Sequence, residues 1–271
     1  MLAVHANSLP LSYSSAPEER RFIRIVQFAR RNLRVKINIL EWITPSGRRA
    51  LFKRKICGIT TVEDATAMIA AGADALGLNF YRQSKRYLNA GIAADVREAI
   101  SADAAVVGLF VNADVVDVVA TAKRLALDWI QLHGDESPDY LARLRHLGAP
   151  PVLKAFRCGP DWRKEMIEFL SRCSARDCSP AAVLVDGFQQ DAYGGTGHPA
   201  DWKSLADWSQ WLTIEHLVLA GGLTPGNVAA AIAAVQPSAV DTASGVEIEP
   251  GKKDSSLATR FCANATAAMG M

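Results

Sequence analysis

The run Lys55-Ile56-Cys57-Gly58 ends a strand-like segment on a cysteine and a glycine. A thiol placed where a strand opens into its loop can act as a base once it is a thiolate. Its ordinary pKa of about 8.5 disfavours that state at neutral pH unless cations stand nearby. Lys55 lies two residues back, so along a strand it points the same way as Cys57 and is expected to help hold the thiolate unless a residue of another strand intervenes. Asp186-Gly187 ends another apolar run. An aspartate there acts as an acid only when protonated, a state that burial favours. Three glycine clusters come late in the chain: Gly194-Gly195-Thr196-Gly197, Gly221-Gly222 and Ser244-Gly245. Backbone N–H groups in such loops and at helix starts bind phosphate. Any one cluster could be a tight turn only; three in successive units point to a phosphorylated substrate.

Such residues need a scaffold that gathers strand ends. From residue 53 onward, short apolar runs alternate with helical spacing. Strands are expected at Lys53–Cys57, Ala75–Phe80, Val106–Val111, Trp129–Leu132, Val152–Phe156, Ala182–Val185, Leu217–Leu219 and Ala239–Val240. The expected helices start with one capped by Thr61 and stopped near Gly72, then Ile92–Ile100, Val115–Leu125 and Ser137–Leu147, with Pro138 at a first helical position. Trp162–Leu170, Trp202–Trp211, Thr224–Val235 and Asp254–Ala268 follow, and residues 171–180 read as a loop. Continuous apolar strands are those buried on both faces, and strict strand–helix alternation implies a parallel sheet. About eight such units argue for a closed (β/α)8 TIM barrel. An open doubly wound sheet is the alternative, but no Gly-x-Gly-x-x-Gly follows the first strand. In a barrel the chemistry sits at the carboxyl ends of the strands. That face then carries Cys57, the Phe80–Arg86 stretch, His133, Asp186, Gly221-Gly222 and the Asp241–Gly245 stretch.

Composition sets the surroundings. The 271 residues are 49% hydrophobic and 21% charged, as in a soluble protein with a full core. No uncharged apolar run is long enough to span a membrane, and no secretory signal pattern opens the chain. A cytoplasmic location is therefore expected. The five cysteines are scattered, which argues against a disulfide framework, and Cys173 and Cys178 lack the second ligand pair of a zinc site, so no metal is expected. Charge is uneven. Residues 1–55 hold 12 Lys+Arg and 3 Asp+Glu, a balance of +9, whereas the remainder holds 18 and 25, a balance of −7. Residues 1–52 thus read as a basic N-terminal extension, poorly ordered, ahead of an α/β barrel over 53–271. Such a leader has the charge to meet nucleic acid or an anionic membrane, and its Ser- and Arg-rich make-up also fits a transit peptide. The simplest reading is an extra segment with no nucleic-acid or membrane partner.

Several motifs occur together and in order over about residues 54–265. They are Lys55-Ile56-Cys57-Gly58-Ile59-Thr60, Gly77-Leu78-Asn79-Phe80-Tyr81 with Ser84-Lys85-Arg86-Tyr87, Gln131-Leu132-His133-Gly134, Leu184-Val185-Asp186, Gly194-Gly195-Thr196-Gly197, Ala220-Gly221-Gly222-Leu223, and Asp241 through Glu247 before Gly251-Lys252-Lys253-Asp254. As a set they resemble the phosphoribosylanthranilate isomerase family of tryptophan biosynthesis. The resemblance implies a single-domain barrel without a cofactor, acting on a small phosphosugar as a monomer or homodimer. It implies Cys57 as general base, Asp186 as general acid, Arg86 on a substrate carboxylate, and His133 and Asp241 facing the substrate. Gly195, Thr196, Gly197, Gly221, Gly222, Ser244 and Gly245 would cradle the phosphate. The family's phosphate-loop serine is Thr196 here, which keeps the hydroxyl. Residues 171–180 and the longer loop after Asp186, with Gln189-Gln190-Asp191, look like insertions. The related histidine-pathway isomerase uses an aspartate where Cys57 stands, which argues against that activity. A non-catalytic phosphosugar-binding protein is the reading from another class, and the Cys57/Asp186 pair speaks against it.

Overall fold

A computed structural model of the chain describes residues 51–187 and 202–271. The extension up to residue 50 and the loop carrying Gln189, Gln190, Asp191, Gly195, Thr196, Gly197 and His198 lie outside the described residues. Eight parallel strands close into one barrel in sequence order. They are β1 (Arg54–Cys57), β2 (Ala75–Asn79), β3 (Ala105–Phe110), β4 (Trp129–Leu132), β5 (Val152–Arg157), β6 (Ala182–Asp186), β7 (Leu217–Leu219) and β8 (Ala239–Thr242). β8 pairs with β1, and the register sets Lys55 beside Asp241. The helices are α1 (Val62–Ala70), α2 (Ala93–Glu98), α3 (Val115–Arg124), α4 (Pro138–His146), α5 (Trp162–Ser174), α6 (Trp208–Trp211), α7 (Val228–Val235) and α8 (Ser255–Met269). Thr61, Asp114, Ser137 and Asp254 each accept a backbone N–H at a helix start, satisfying donors that the helix leaves open.

Alternate strand residues face opposite sides, and this divides the core in two. One layer packs the strands against the helices. The other fills the barrel with Ala75, Ala105, Val107, Trp129, Leu153 and Leu184. Phe52 belongs to this inner layer, 4% exposed and edge-on to Trp129 with ring centroids 6.1 Å apart. The barrel's packing therefore begins within residues assigned from sequence to the extension.

Four local expectations change. α5 runs on to Ser174, so 171–174 is helix, because its apolar stripe of Trp162, Met166 and Leu170 continues through fully buried Cys173. The Trp202–Trp211 segment is not one helix. A 3-10 turn at Trp202–Leu205 and α6 are separated at Asp207, whose φ of 57° cannot continue a right-handed helix. α7 starts at Val228 instead of Thr224, because the Asn227 side chain is occupied in the preceding turn. Finally, β8 is followed by a 3-10 turn (Ser244–Val246) and a small hairpin, β9 (Glu247–Glu249) and β10 (Lys252–Lys253). This hairpin has no counterpart in the sequence reading. Thr60 donates to Gly251 O at 2.6 Å, so the last loop of the barrel is tied to the first.

Candidate active site

At the carboxyl ends of the strands, one pocket of about 610 Å³, counting its open mouth, is lined by Cys57, Asn79, Ser84, Arg86, His133, Asp186 and Asp241 among others. Its far wall is backbone-rich: Gly221, Gly222, Leu223, Ala243 and Ser244 line it. Gly221 has φ +84°, and a Cβ there would overlap Gly187 N, so only glycine lets the β7 loop close over the end of β6. Asn227 secures the same loop, accepting from Thr224 N at 2.7 Å and donating to Gly222 O at 2.9 Å. Gly245 stands behind the lining, where a Cβ would overlap Leu223 O.

Cys57, at the end of β1, is buried and reduced. Lys55 shares its side of the strand, but its ammonium gives both Asp241 oxygens a 2.9 Å hydrogen bond. Burial alone would pull the Lys55 pKa down; Asp241 and Cys57 together carry it above the ordinary lysine value. Burial pushes the Cys57 thiol up, Lys55 pulls it down, Asp241 pushes it up and Lys253 pulls it down; burial prevails, and the thiol stands above its ordinary pKa. The expectation that Lys55 helps hold a thiolate meets a competing residue from another strand, Asp241 on β8. The attraction of Lys55 is in place, but it is shared with Asp241 and outweighed by desolvation.

Across the mouth, Asp186 ends β6. Its Oδ1 accepts from Gly187 N at 2.8 Å, and its Oδ2 lies 3.3 Å from His133 Nε2. His133 Nδ1 is 2.9 Å from Gln131 Nε2. That amide nitrogen can only donate, so Nδ1 accepts, and Nε2 stands beside Asp186 at this distance without forming a hydrogen bond. All three side chains are buried.

Arg86 reaches the pocket from the β2 loop. Asn79 shapes this loop, accepting from Tyr81 N and donating to Ser84 Oγ, which in turn accepts from Arg86 N at 3.1 Å. The arginine stem crosses Gly58, which has φ +81°; a Cβ there would sit 2.5 Å from Arg86 Cδ. Its guanidinium is already engaged. Nε and Nη2 grip Glu247 at 2.8 and 2.6 Å. Lys253 completes the cluster, donating to Glu247 at 2.7 Å, to Cys57 O at 2.6 Å and to Ala243 O at 3.2 Å. Burial alone would raise the Glu247 carboxyl, but Arg86 and Lys253 hold it below its ordinary pKa.

Set against known proteins, a model of the N-(5′-phosphoribosyl)anthranilate isomerase family matches residues 54–264. A relative from Geobacter sp. strain M21, named N-(5′-phosphoribosyl)anthranilate isomerase, is 43% identical over 215 residues, covering 79% of this chain and 97% of its own. The chain belongs to the N-(5′-phosphoribosyl)anthranilate isomerase family. The crystal structure of the isomerase from Thermotoga maritima aligns with a TM-score of 0.69 at 33% identity, covering 80% of this chain and all of that one. A solved family structure in complex with reduced 1-(o-carboxyphenylamino)-1-deoxyribulose 5-phosphate aligns with a TM-score of 0.66, again at 33% identity over 80% of this chain. The fold is the expected TIM barrel, and the family is that of a tryptophan-biosynthesis isomerase.

Of the expected site residues within the described residues, Cys57, Arg86, His133, Asp186, Asp241, Gly221, Gly222 and Ser244 share the pocket, and Gly245 supports its wall. Glu247 and Lys253 were not singled out from sequence, although both lie in the quoted C-terminal motifs. A paired glutamate and lysine six residues apart is ordinarily a solvated surface pair. Here both side chains are buried, at 4% and 0% exposure. Gln131 and Asn79 were equally silent, since a polar residue inside an apolar strand gives no role by itself. The tryptophans of this region are scaffold: Trp208 Nε1 donates to Val235 O at 3.1 Å, and Trp211 meets Trp162 edge-on. Among the described residues no group of three or more His, Cys, Asp or Glu could hold a metal, and the Cys178 thiol donates to the carbonyls of Cys173 and Pro138.

Proposed function

We propose that the chain catalyses the Amadori rearrangement of N-(5′-phosphoribosyl)anthranilate to 1-(2-carboxyphenylamino)-1-deoxyribulose 5-phosphate, with Cys57 as general base and Asp186 as general acid. One observation supports the assignment above the rest: the thiol and the carboxyl line a single pocket whose far wall is bare backbone. Asp186 gives its proton to the furanose ring oxygen. The C1′–O bond breaks, and the anilino nitrogen lone pair forms the C1′=N iminium. Cys57, as thiolate, takes the C2′ proton, and the C–H electrons form the C1′=C2′ enaminol. C1′ then gains a proton and O2′ loses one, leaving the ketone. No atom is gained or lost, so the step needs no redox partner.

His133 orients the Asp186 carboxyl from across β4, and Arg86 receives the anthranilate carboxylate, which a planar guanidinium can hold by two hydrogen bonds. Asp241, already fixed by Lys55, stands where it can meet a sugar hydroxyl. The phosphate takes backbone N–H groups of Gly221, Gly222, Ser244 and Gly245, together with Gly195, Thr196 and Gly197. The family complex with a reduced ketose product supports a ligand of this size and charge. The reaction is placed in the cytoplasm, and residues 1–50 have no part in it.

The test follows loss of anthranilate-derivative fluorescence as substrate is consumed. Cys57→Ser and Asp186→Asn are each expected to lower kcat by about 10²–10⁴-fold, the usual contribution of a positioned acid or base. Parental turnover in both variants would overturn the assignment. A chain beginning at Leu51 should turn over like the full chain; loss of turnover there would give the extension a role.

A further inference from the structure

The Arg86–Glu247 pair poses a chemical problem. Arg86 lines the pocket, yet two of its donors are spent on a carboxylate of the protein itself. A guanidinium has five N–H groups in a rigid plane. Glu247 occupies the side made by Nε and Nη2. Both Nη1 hydrogens and one on Nη2 remain, and they form a second two-pronged edge. Among the described residues Nη1 carries no hydrogen bond. Charge is arranged to match. Arg86 and Lys253 flank Glu247, so the trio keeps one net positive charge. The three side chains are 12%, 0% and 4% exposed, so the ordering is not that of a loose surface pair.

We propose that Glu247 is a positioning residue: it holds Arg86 so that the Nη1/Nη2 edge faces the ring carboxylate, and the preference of the site for a carboxylated aryl amine depends on it. This rests on the assignment of Arg86 to the substrate carboxylate. Lys253 ties Glu247 to the Cys57 carbonyl, so the carboxylate grip and the reacting thiol are set from one anchor.

The experiment compares two ligands on the full-length chain by titration calorimetry: reduced 1-(o-carboxyphenylamino)-1-deoxyribulose 5-phosphate, and the phenylamino compound with hydrogen in place of the carboxylate. The readout is the ratio of their Kd values, in which any misfolded fraction cancels. Glu247→Gln keeps the volume but turns one N–H against an Arg86 N–H. It is expected to shrink the ratio by about tenfold, the worth of one charge-assisted hydrogen bond, with the carboxylate-free ligand binding as before. Arg86→Gln is expected to abolish the ratio. If Arg86→Gln keeps the parental ratio, the carboxylate assignment itself fails. If Arg86→Gln abolishes the ratio and Glu247→Gln does not change it, or weakens both ligands equally, Glu247 is structural only and the proposal is overturned.

Discussion

Lys154 and Lys253 are both buried lysines at the mouth of one barrel, each paired with one glutamate. Lys154 sits on β5 and gives its protons to Glu136 and to the carbonyls of Leu132, Gly134 and Ala155. Glu136 in turn accepts from Asn112 N and Gly134 N, so this pair laces the loops after β3 and β4 to strand β5. Lys253 instead bonds to the cysteine's own carbonyl, and its glutamate grips the arginine that lines the pocket. Both ammonium groups are pulled below the ordinary lysine pKa by burial, and in both cases the glutamate opposes the fall. The same desolvated pair therefore serves architecture on one side of the mouth and holds Arg86 and the Cys57 carbonyl on the other. What separates them is only the third partner.

Breaking the pairs should separate the two uses. Lys154→Met strands the Glu136 carboxylate and should cost about 3–5 kcal/mol in urea unfolding, while turnover per folded molecule stays parental. The double change Lys154→Met/Glu136→Gln should recover most of that loss; no recovery would mean that the lysine acts through its carbonyl contacts instead. Lys253→Met should lower kcat by about 10–100-fold, roughly 1.4–2.8 kcal/mol, through a displaced Cys57 carbonyl and a thiol with one cation fewer. Parental kcat would collapse the contrast between the two sides. The thiol provides a finer test. Its raised pKa means that the thiolate, read by its ultraviolet absorbance, grows only above the ordinary thiol value of about 8.5. Lys253→Met should move that rise further up the pH scale, whereas Lys154→Met should leave it alone.

The smallest effect concerns acid. Glu247 is held below its ordinary pKa. A depressed carboxyl adds stability that is present above its unfolded value of about 4.3 and is lost as pH falls through the folded one. Glu247→Gln should flatten the acid limb of a melting-temperature profile below pH 5, roughly the onset of carboxylate protonation. An unchanged limb would show that Arg86 and Lys253 leave this carboxyl unperturbed.

The barrel was legible because its strands are buried on both faces and need no alternation to be seen. Trp129–Leu132 and Leu217–Leu219 were placed to the residue. Cys57, Asp186 and Arg86 were legible through motifs at strand ends. What escaped was pairing. No periodicity says that Lys55 will spend its charge on Asp241, 186 residues away, because that contact exists only once β8 closes on β1. The hairpin of β9 and β10 escaped for a related reason. The hairpin is short and mostly exposed, and only the side chains at its two ends, Glu247 and Lys253, turn inward toward Arg86 and the Cys57 carbonyl. Asp207 broke the tryptophan-rich helix by a backbone angle, and side-chain spacing does not report such angles.

The bond from Lys253 to the Cys57 carbonyl spans 196 residues. A chain made from its amino end exposes the cysteine early and the lysine almost last. Long-range contacts of this kind form only after intervening segments are in place. The thiol is thus made first and set last, and a chain cut short before the hairpin loses that clasp together with α8, whose Phe261 and Cys262 belong to the packed core.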